Sequence, residues 1–266
     1  MNQGHAVNEE PEVLIEKRDG IALLTLNRPR LANTQGFTFG RSLLAALDEV
    51  ENDSEVSVIV LTGAGKVFCG GGRMGENMSV EGGDPEKEFI AIRDTFRAVQ
   101  RVRDLELPVV CALNGAAIGG GAALAMACDL VVAAEEASYA FPFGMLGASA
   151  VDMGCSYMLP RLVGTSRARE IILTGAAVSA QDGLRDGLFV SVVTREAVVN
   201  TALQLAGKIR DAGPRRAVAG TKLALVRGET TDYATAASYE LYMQNYMLNT
   251  GEHKRRLKSF LDARKK

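Results

Sequence analysis

The sequence predicts a layered α/β domain that gives way to an all-helical C-terminal region, and three observations carry that prediction. Several short runs are too apolar to have one wet face, as strands buried between layers are. Segments with helical spacing of apolar residues separate them. Beyond about Arg195 only the helical spacing persists.

Taken in order, residues up to about position 11 are polar and expected to fray. Strand-like runs follow at Ile21–Leu26, Val56–Leu61, Val109–Leu113, Leu130–Ala133 and Leu188–Val193. Phe39, Leu43, Leu47 and Val50 fall on one helical face, as do Phe89, Ile92, Phe96 and Val99. Gly75–Pro85 is polar and glycine-rich and reads as a mobile loop. The C-terminal pattern runs through Ala202–Arg210, Arg215–Val226, Asp232–Leu248 and Glu252–Arg264. Pro214 sits where a helix can begin, and Gly228 and Gly251 sit where helices can end.

A chain of 266 residues with 47% hydrophobic content can bury one large core. Its formal net charge of −2 gives no global positive field for nucleic acid. Cys69, Cys111, Cys128 and Cys155 are widely spaced and show no metal-ligand pattern, which fits free thiols in a reducing compartment. No apolar run is long enough for a membrane span, and the polar, acidic N-terminus does not resemble a signal peptide. The expectation is a cytoplasmic globular protein with no metal site.

Glycine carries the chemical information. One cluster, VFCGGGRM (Val67–Met74), follows a strand and turn. A second, NGAAIGGGAALAMACDL (Asn114–Leu130), runs from Gly119–Gly121 straight into an alanine-rich helical segment. The first amides of a helix lack internal partners and carry partial positive charge. Glycine there lets an acyl oxygen reach the backbone, and an amide from the first cluster would complete a two-donor oxyanion hole. Close packing of a helix start explains the same glycines, and the residues alone leave both readings open.

The series LNRPRLAN, VIVLTGAGKVFCGGGRM, LPVVCALNGAAIGGGAALAMACDLVVAAEEASYA and DMGCSYMLPRLVGTSRAREIILTG closely resembles the crotonase (enoyl-CoA hydratase/isomerase) superfamily. The match keeps the order of motifs and runs from about Val13 to the C-terminus. It implies a spiral of stacked ββα units over residues 13–195, after a tail at 1–12. A helical region at 196–266 would close the site and support a homotrimer or hexamer. It implies an acyl-CoA substrate, with no cofactor beyond the coenzyme A that the substrate carries. By position, Gly72 and Gly120 match the residues whose amides bind the thioester oxygen. Arg28, Arg30 and Ala32 match the stretch that meets coenzyme A, and Arg73, Met74, Phe143, Met145 and Tyr157 fall near the acyl group.

Two departures from the family pattern are informative. Where family hydratases carry two glutamates, this chain has Ala123 and Phe143. Neither side chain exchanges a proton, so the two-carboxylate addition of water lacks both its groups. Asp152, in ASAVDMGCSY, matches an aspartate of family members that shift double bonds. One carboxylate suffices for isomerisation, because it removes a proton at one carbon and returns it at another. Apolar neighbours among Phe143, Met145, Leu146, Met153 and Tyr157 would disfavour its ionisation and make it a stronger base. The competing reading is that Asp152 caps the helix that starts near Gly154.

Other residues carry blander expectations. His5 and His253 read as surface histidines, Tyr139 and Tyr157 as packing, and Cys69 as packing with nothing nearby to lower its pKa. Glu76 reads as a solvated loop charge, and Arg73 meets either a phosphate or a neighbouring carboxylate. The basic run from His253 to Lys258 reads as a solvated helix face. The leading function is enoyl-CoA double-bond isomerisation through Asp152. The alternatives are an atypical hydratase, lyase or decarboxylase on a specialised acyl-CoA, and a non-catalytic homologue that binds acyl-CoA, RNA or a protein.

Overall fold

A computed structural model describes residues 10–76 and 82–264. The chain opens with an antiparallel hairpin, β1 (Val13–Arg18) and β2 (Ile21–Leu26), turned by Asp19 and Gly20 in left-handed backbone. Helix α1 (Phe39–Glu51) follows, then β3 (Val58–Gly63), β4 (Val67–Cys69) and α2 (Pro85–Asp104). Next come β5 (Val109–Leu113), β6 (Ala116–Ile118) and α3 (Gly120–Met126), then β7 (Leu130–Ala134) and β8 (Ser138–Ala140). Helices α4 (Cys155–Val163) and α5 (Thr165–Thr174) lead to β9 (Val178–Ser179), α6 (Ala180–Asp186) and β10 (Ser191–Val193). Four helices end the chain: α7 (Arg195–Ala212), α8 (Arg215–Gly228), α9 (Tyr233–Leu248) and α10 (Gly251–Ala263).

Two sheets organise these elements. The larger has the order β1-β2-β3-β5-β7-β10, parallel from β2 onward, and the smaller has the order β4-β6-β8-β9. In the pairs β3–β4, β5–β6 and β7–β8, the first strand joins the large sheet and the second, after a tight turn, joins the small one. The chain therefore winds as a spiral whose turns stack strand on strand, as the resemblance implied. Every residue of β3 and β5 is buried, which is why these strands read as unbroken apolar runs.

Helix α7 packs on β3, β5 and β7 and buries Val198, Ala202 and Ala206 in the main core. The expected division after residue 195 thus falls at the first residue of a helix that still belongs to that core. Helix α8 is tied down by Lys222, which is 4% exposed and donates to the carbonyls of Val102 and Leu107 while pairing with Asp129 at 2.8 Å. Helices α9 and α10 bury no residue.

Several sequence expectations change here. The run at Leu188–Val193 is strand only from Ser191, because Leu188 and Phe189 turn back onto Gly183 at the end of α6 and bury there. Gly251 begins α10 rather than ending α9, and Thr250 caps that helix through the His253 amide. Phe89, Ile92 and Phe96 are exposed at 64%, 37% and 41%, although Val99 is buried. Helix α1 comes so close to α2 that a Cβ on Gly40 would stand 2.3 Å from the Asp94 carbonyl carbon. The close approach is made by the α2 backbone at Asp94 and Thr95, the buried face of α2 is rich in small residues (Ala91, Thr95, Ala98), and the large apolar stripe is left exposed. Of the expected loop Gly75–Pro85, residues 77–81 lie outside the described residues, and Pro85 is the first residue of α2, capped by Asp84. Met1–Glu9, with His5, also lie outside the described residues.

Candidate active site

The two glycine clusters meet because of the small sheet. Strands β4 and β6 pair in parallel, Val67 with Ala116 and Cys69 with Ala117, so the loops that leave them emerge side by side. There is no room between these loops for side chains. A Cβ on Gly71 would lie 2.4 Å from the Ile118 carbonyl oxygen and 3.6 Å from the Gly120 amide nitrogen. One on Gly121 would lie 2.2 Å from the Cys69 carbonyl oxygen. Close packing and the approach of a ligand to backbone are thus served by the same glycines.

The amides at the two expected positions are not consumed by the fold's regular bonding. A lone parallel bridge joins Gln35 to Gly72, using the N–H groups of Gln35 and Arg73 but not that of Gly72. Gly120 is the first residue of α3, so its N–H finds no carbonyl four residues back within the helix. Beneath both loops, buried Asn33 donates through Nδ2 to the carbonyls of Ala64, Val67 and Phe68 and accepts from the Arg28 amide. That amide side chain ties the turn between β3 and β4 to the segment before Gln35, while the glycine loop itself is held by the Gly70 amide donating to the Ala32 carbonyl and the Gln35 amide donating to the Gly71 carbonyl.

Beside these loops lies a cavity of about 290 Å³. Gly72 and Gln35 form one wall, Ile92 and Thr95 of α2 another, and Phe143, Ser149, Asp152 and Met153 the third. Gly120 stands behind Gln35, whose Oε1 would be 2.2 Å from a Cβ placed on it. Among the described lining residues Asp152 is the sole carboxylate. Burial raises its pKa above the ordinary carboxylate range, partly offset by the Met153 amide that donates to Oδ1 at 2.9 Å.

The capping role weighed for Asp152 is not the one its side chain plays. Helix α4 has no side-chain cap, and the Cys155 amide donates instead to the Asp152 backbone carbonyl at 2.9 Å. The next residue, Met153, holds a left-handed φ of 45°. Such backbone is costly for a residue with a side chain, of order 1–3 kcal/mol, and it aims the Asp152–Met153 turn at the cavity.

The remaining expected residues divide. Phe143 lines the cavity, and its ring stands 2.6 Å from where a Gly119 Cβ would be. Ala123 is wholly buried in α3 and is not on the wall. Met74 and Met145 are exposed at 72% and 84% and do not line the cavity. Tyr157 lies in an adjoining chamber, where its hydroxyl donates to the Glu229 carbonyl. Arg73 meets a carboxylate, pairing with Glu76 at 2.6 Å. Glu76 also accepts from the Phe37 amide, so it is not the free solvated charge the sequence suggested. The Arg28 guanidinium donates to the carbonyls of Glu10, Pro11 and Asn27, which secures the N-terminal segment, while Arg30 and Ala32 sit on the turn that follows. Tyr139 is buried edge-on against Phe189, and burial pushes the Cys69 thiol up to about 12. Arg255 and Arg256 pair with Glu252 along α10.

Gln35, Thr95 and Ser149 line the cavity and were not singled out from sequence. Gln35 had a signal, since it stands directly after the LNRPRLAN motif and Thr34. Thr95 had none, because a threonine inside a helix more often bonds back along it, as this one does to the Ala91 carbonyl. Among the described residues no helix is long and apolar enough to cross a membrane.

Comparison with known proteins bears on the family and the fold. The family model for enoyl-CoA hydratase/isomerase matches residues 16–266. A short-chain-enoyl-CoA hydratase of Clostridium acetobutylicum is 35% identical over 254 residues, covering 95% of each chain. A 1,2-epoxyphenylacetyl-CoA isomerase of Escherichia coli is 32% identical over 253 residues, covering 95% of this chain and 96% of that protein. The crystal structure of an enoyl-CoA hydratase from Bacillus anthracis superposes with a TM-score of 0.88 at 30% identity, covering 95% of this chain and 96% of the other. With a family match over nearly its whole length and the same spiral fold, the chain belongs to the enoyl-CoA hydratase/isomerase family.

Proposed function

We propose that the protein moves the double bond of an enoyl-CoA thioester, with Asp152 as the sole proton carrier and the Gly72 and Gly120 amides holding the thioester oxygen. The observation that carries the reading is the position of Asp152: one half-buried carboxylate, free of capping duty, on the wall of the cavity that Gly72 also lines. In the forward step the Asp152 carboxylate takes a proton from the α-carbon of a 3-enoyl thioester. The electron pair of that C–H bond moves into the conjugated system, and negative charge gathers on the thioester oxygen. Two amides directed at that oxygen stabilise the dienolate without reorganising. The protonated Asp152 then delivers its proton to the γ-carbon, giving the 2-enoyl product and restoring the carboxylate. Burial serves this cycle because a raised pKa brings the base closer to working pH.

Hydration is the competing reading, favoured by the name of the Clostridium relative. It requires a group to activate water and another to protonate the α-carbon. Ala123 is sealed in the core and Phe143 presents a ring, so Asp152 would have to do both. Coenzyme A is taken to enter past Arg30 and Ala32. The uncovered Tyr242, Tyr246, Leu257 and Phe260 of α9 and α10 support assembly as a trimer or hexamer.

The test is Asp152→Asn, which keeps size and removes the exchangeable base. Isomerisation of a 3-enoyl-CoA and solvent deuterium exchange at the α-carbon should both fall at least about a hundredfold. Binding of a saturated acyl-CoA should change little. Full exchange activity in the folded asparagine variant ends the proposal.

A further inference from the structure

The Asp152 cavity is not a dead end. A second chamber of about 250 Å³ adjoins it, and Met153 belongs to the walls of both. Helix α2 runs along the two, giving Ile92 and Thr95 to the first and Phe96, Val99, Gln100 and Arg103 to the second. Phe89, Ile92 and Phe96 form the apolar stripe that the close packing of α1 turned away from the core. Of these, Ile92 lines the first chamber and Phe96 the second, and uncovered apolar side chains lining two adjoining cavities make a hydrocarbon-binding face. Met158 and Ala127 add further apolar wall.

The far end of the chamber tells what the occupant lacks. Arg103 stands there, but its guanidinium pairs with Glu229 at 2.6 Å and lies over the Tyr157 ring at 5.3 Å. A carboxylate at the tip of a ligand would have to compete with Glu229 for it. The span of α2 from Ile92 to Arg103 is about 16 Å at the rise of an α-helix, room for a chain on the order of ten carbons.

We infer that the acyl chain of the substrate runs from the Asp152 cavity past Met153 into this second chamber, which selects uncharged acyl groups of medium length. The inference rests on the acyl-CoA reading of the site, and it does not depend on the chemistry assigned to Asp152. Saturated thioesters separate the two, because they bind without reacting.

The experiment is a calorimetric series of saturated acyl-CoA esters from butanoyl to tetradecanoyl, on the parent protein and on Gln100→Trp. Gln100 is exposed at the chamber mouth, so a tryptophan can fill the space from outside without disturbing the core. In the parent, Kd should fall about two- to fourfold per added methylene up to about ten carbons, then level off. In Gln100→Trp, levelling should come several carbons earlier, and the preference for decanoyl over butanoyl should shrink more than tenfold. An ω-carboxydecanoyl ester should bind at least tenfold more weakly than decanoyl. A series already flat from butanoyl in the parent overturns the inference. So does an unchanged series in the folded tryptophan variant, or equal binding of the ω-carboxy ester. If no thioester binds at all, the acyl-CoA reading falls with it. An intact series alongside a fully active Asp152→Asn variant removes only the proton-carrier role.

Discussion

Replacing Gly120 with alanine adds one methyl group where there is no space for it. The new Cβ would stand 2.2 Å from Gln35 Oε1, against an ordinary contact that begins near 3.4 Å, so 3.4 − 2.2 leaves about 1.2 Å to be relieved. Gln35 is 1% exposed, and its backbone is pinned by its N–H to the Gly71 carbonyl and by its carbonyl to the Arg73 N–H. Relief therefore comes from the Gln35 side chain, which turns into the cavity it lines, or from a shift of the Gly120 amide away from the ligand. Either outcome spoils one of two proposed donors to the thioester oxygen. Loss of one such donor costs about 3 kcal/mol, roughly a hundredfold or more in kcat. Overpacking itself costs about 1–3 kcal/mol, a few degrees of Tm for a chain of this size.

The assay follows the rise of conjugated enoyl absorbance from a 3-enoyl-CoA, with Tm measured on the same preparation. A second variant, Gln35→Ala with Gly120→Ala, removes the clash and should recover much of the lost stability. If Gly120→Ala melts a few degrees lower yet keeps kcat within about threefold of the parent, Gly120 does not serve the reaction.

Other expectations follow from the same residues. The Asp152 carboxyl holds its proton more tightly folded than unfolded, so stability falls as pH rises from the ordinary carboxylate value through the raised one. Asp152→Asn should lose that slope and melt above the parent at neutral pH, which paired thermal scans from pH 3.5 to 7 will show. Isomerisation by the parent should decline as pH drops through the same raised pKa, as Asp152 becomes protonated. Crotonyl-CoA hydration should be very slow; a turnover near the enzyme median of about 10 s⁻¹ would remove the isomerase-first reading. Ala123→Glu alone should destabilise without rescuing hydration, since that position is wholly buried. Lys222→Met should cost about 3 kcal/mol, at the low end for a broken buried pair because the Asp129 side chain stays 27% exposed. Denaturant midpoints measure that loss. Light scattering should give a trimer or hexamer, and a clean monomer at micromolar concentration would contradict the role given to α9 and α10.

What the sequence disclosed followed from how strongly each element is constrained. Strands β3 and β5 are buried on both faces, so their apolar runs stood out, and Val109–Leu113 is matched end to end. Strands β4, β6 and β8 have three residues each, too few for a period to show, and only the resemblance pointed to them. The face of α2 was misjudged in its orientation, because periodicity finds a stripe but not what it faces. Gly40 decided that question by letting α1 approach so closely, a contact between residues 54 positions apart. The partner of Arg73 likewise required the fold of the first glycine loop, which backbone bonds to Ala32 and Gln35 hold.

Why the acid sits where it does follows from the burial of α3. All seven of its residues are buried, Gly121 lies against the Cys69 carbonyl, and none of the seven carries an ionisable side chain, so this helix supplies no proton carrier in this chain. A proton carrier must then come from the opposite wall, the segment from Phe143 to Met153 that borders water on one side and the cavity on the other. Within that wall the left-handed Met153 makes the turn, and Asp152 is the one ionisable residue it presents. Relaxing that turn is a direct test of the argument. Met153→Gly should ease the backbone, offsetting part of the packing lost with the methionine side chain, while loosening the carboxylate it helps to aim; Met153→Asn, which tolerates left-handed backbone, is the control that keeps the turn. Isomerisation should then fall, with the pH dependence of stability retained because the acid is still there. A folded glycine variant that is as active as the parent would show that the turn does not position Asp152.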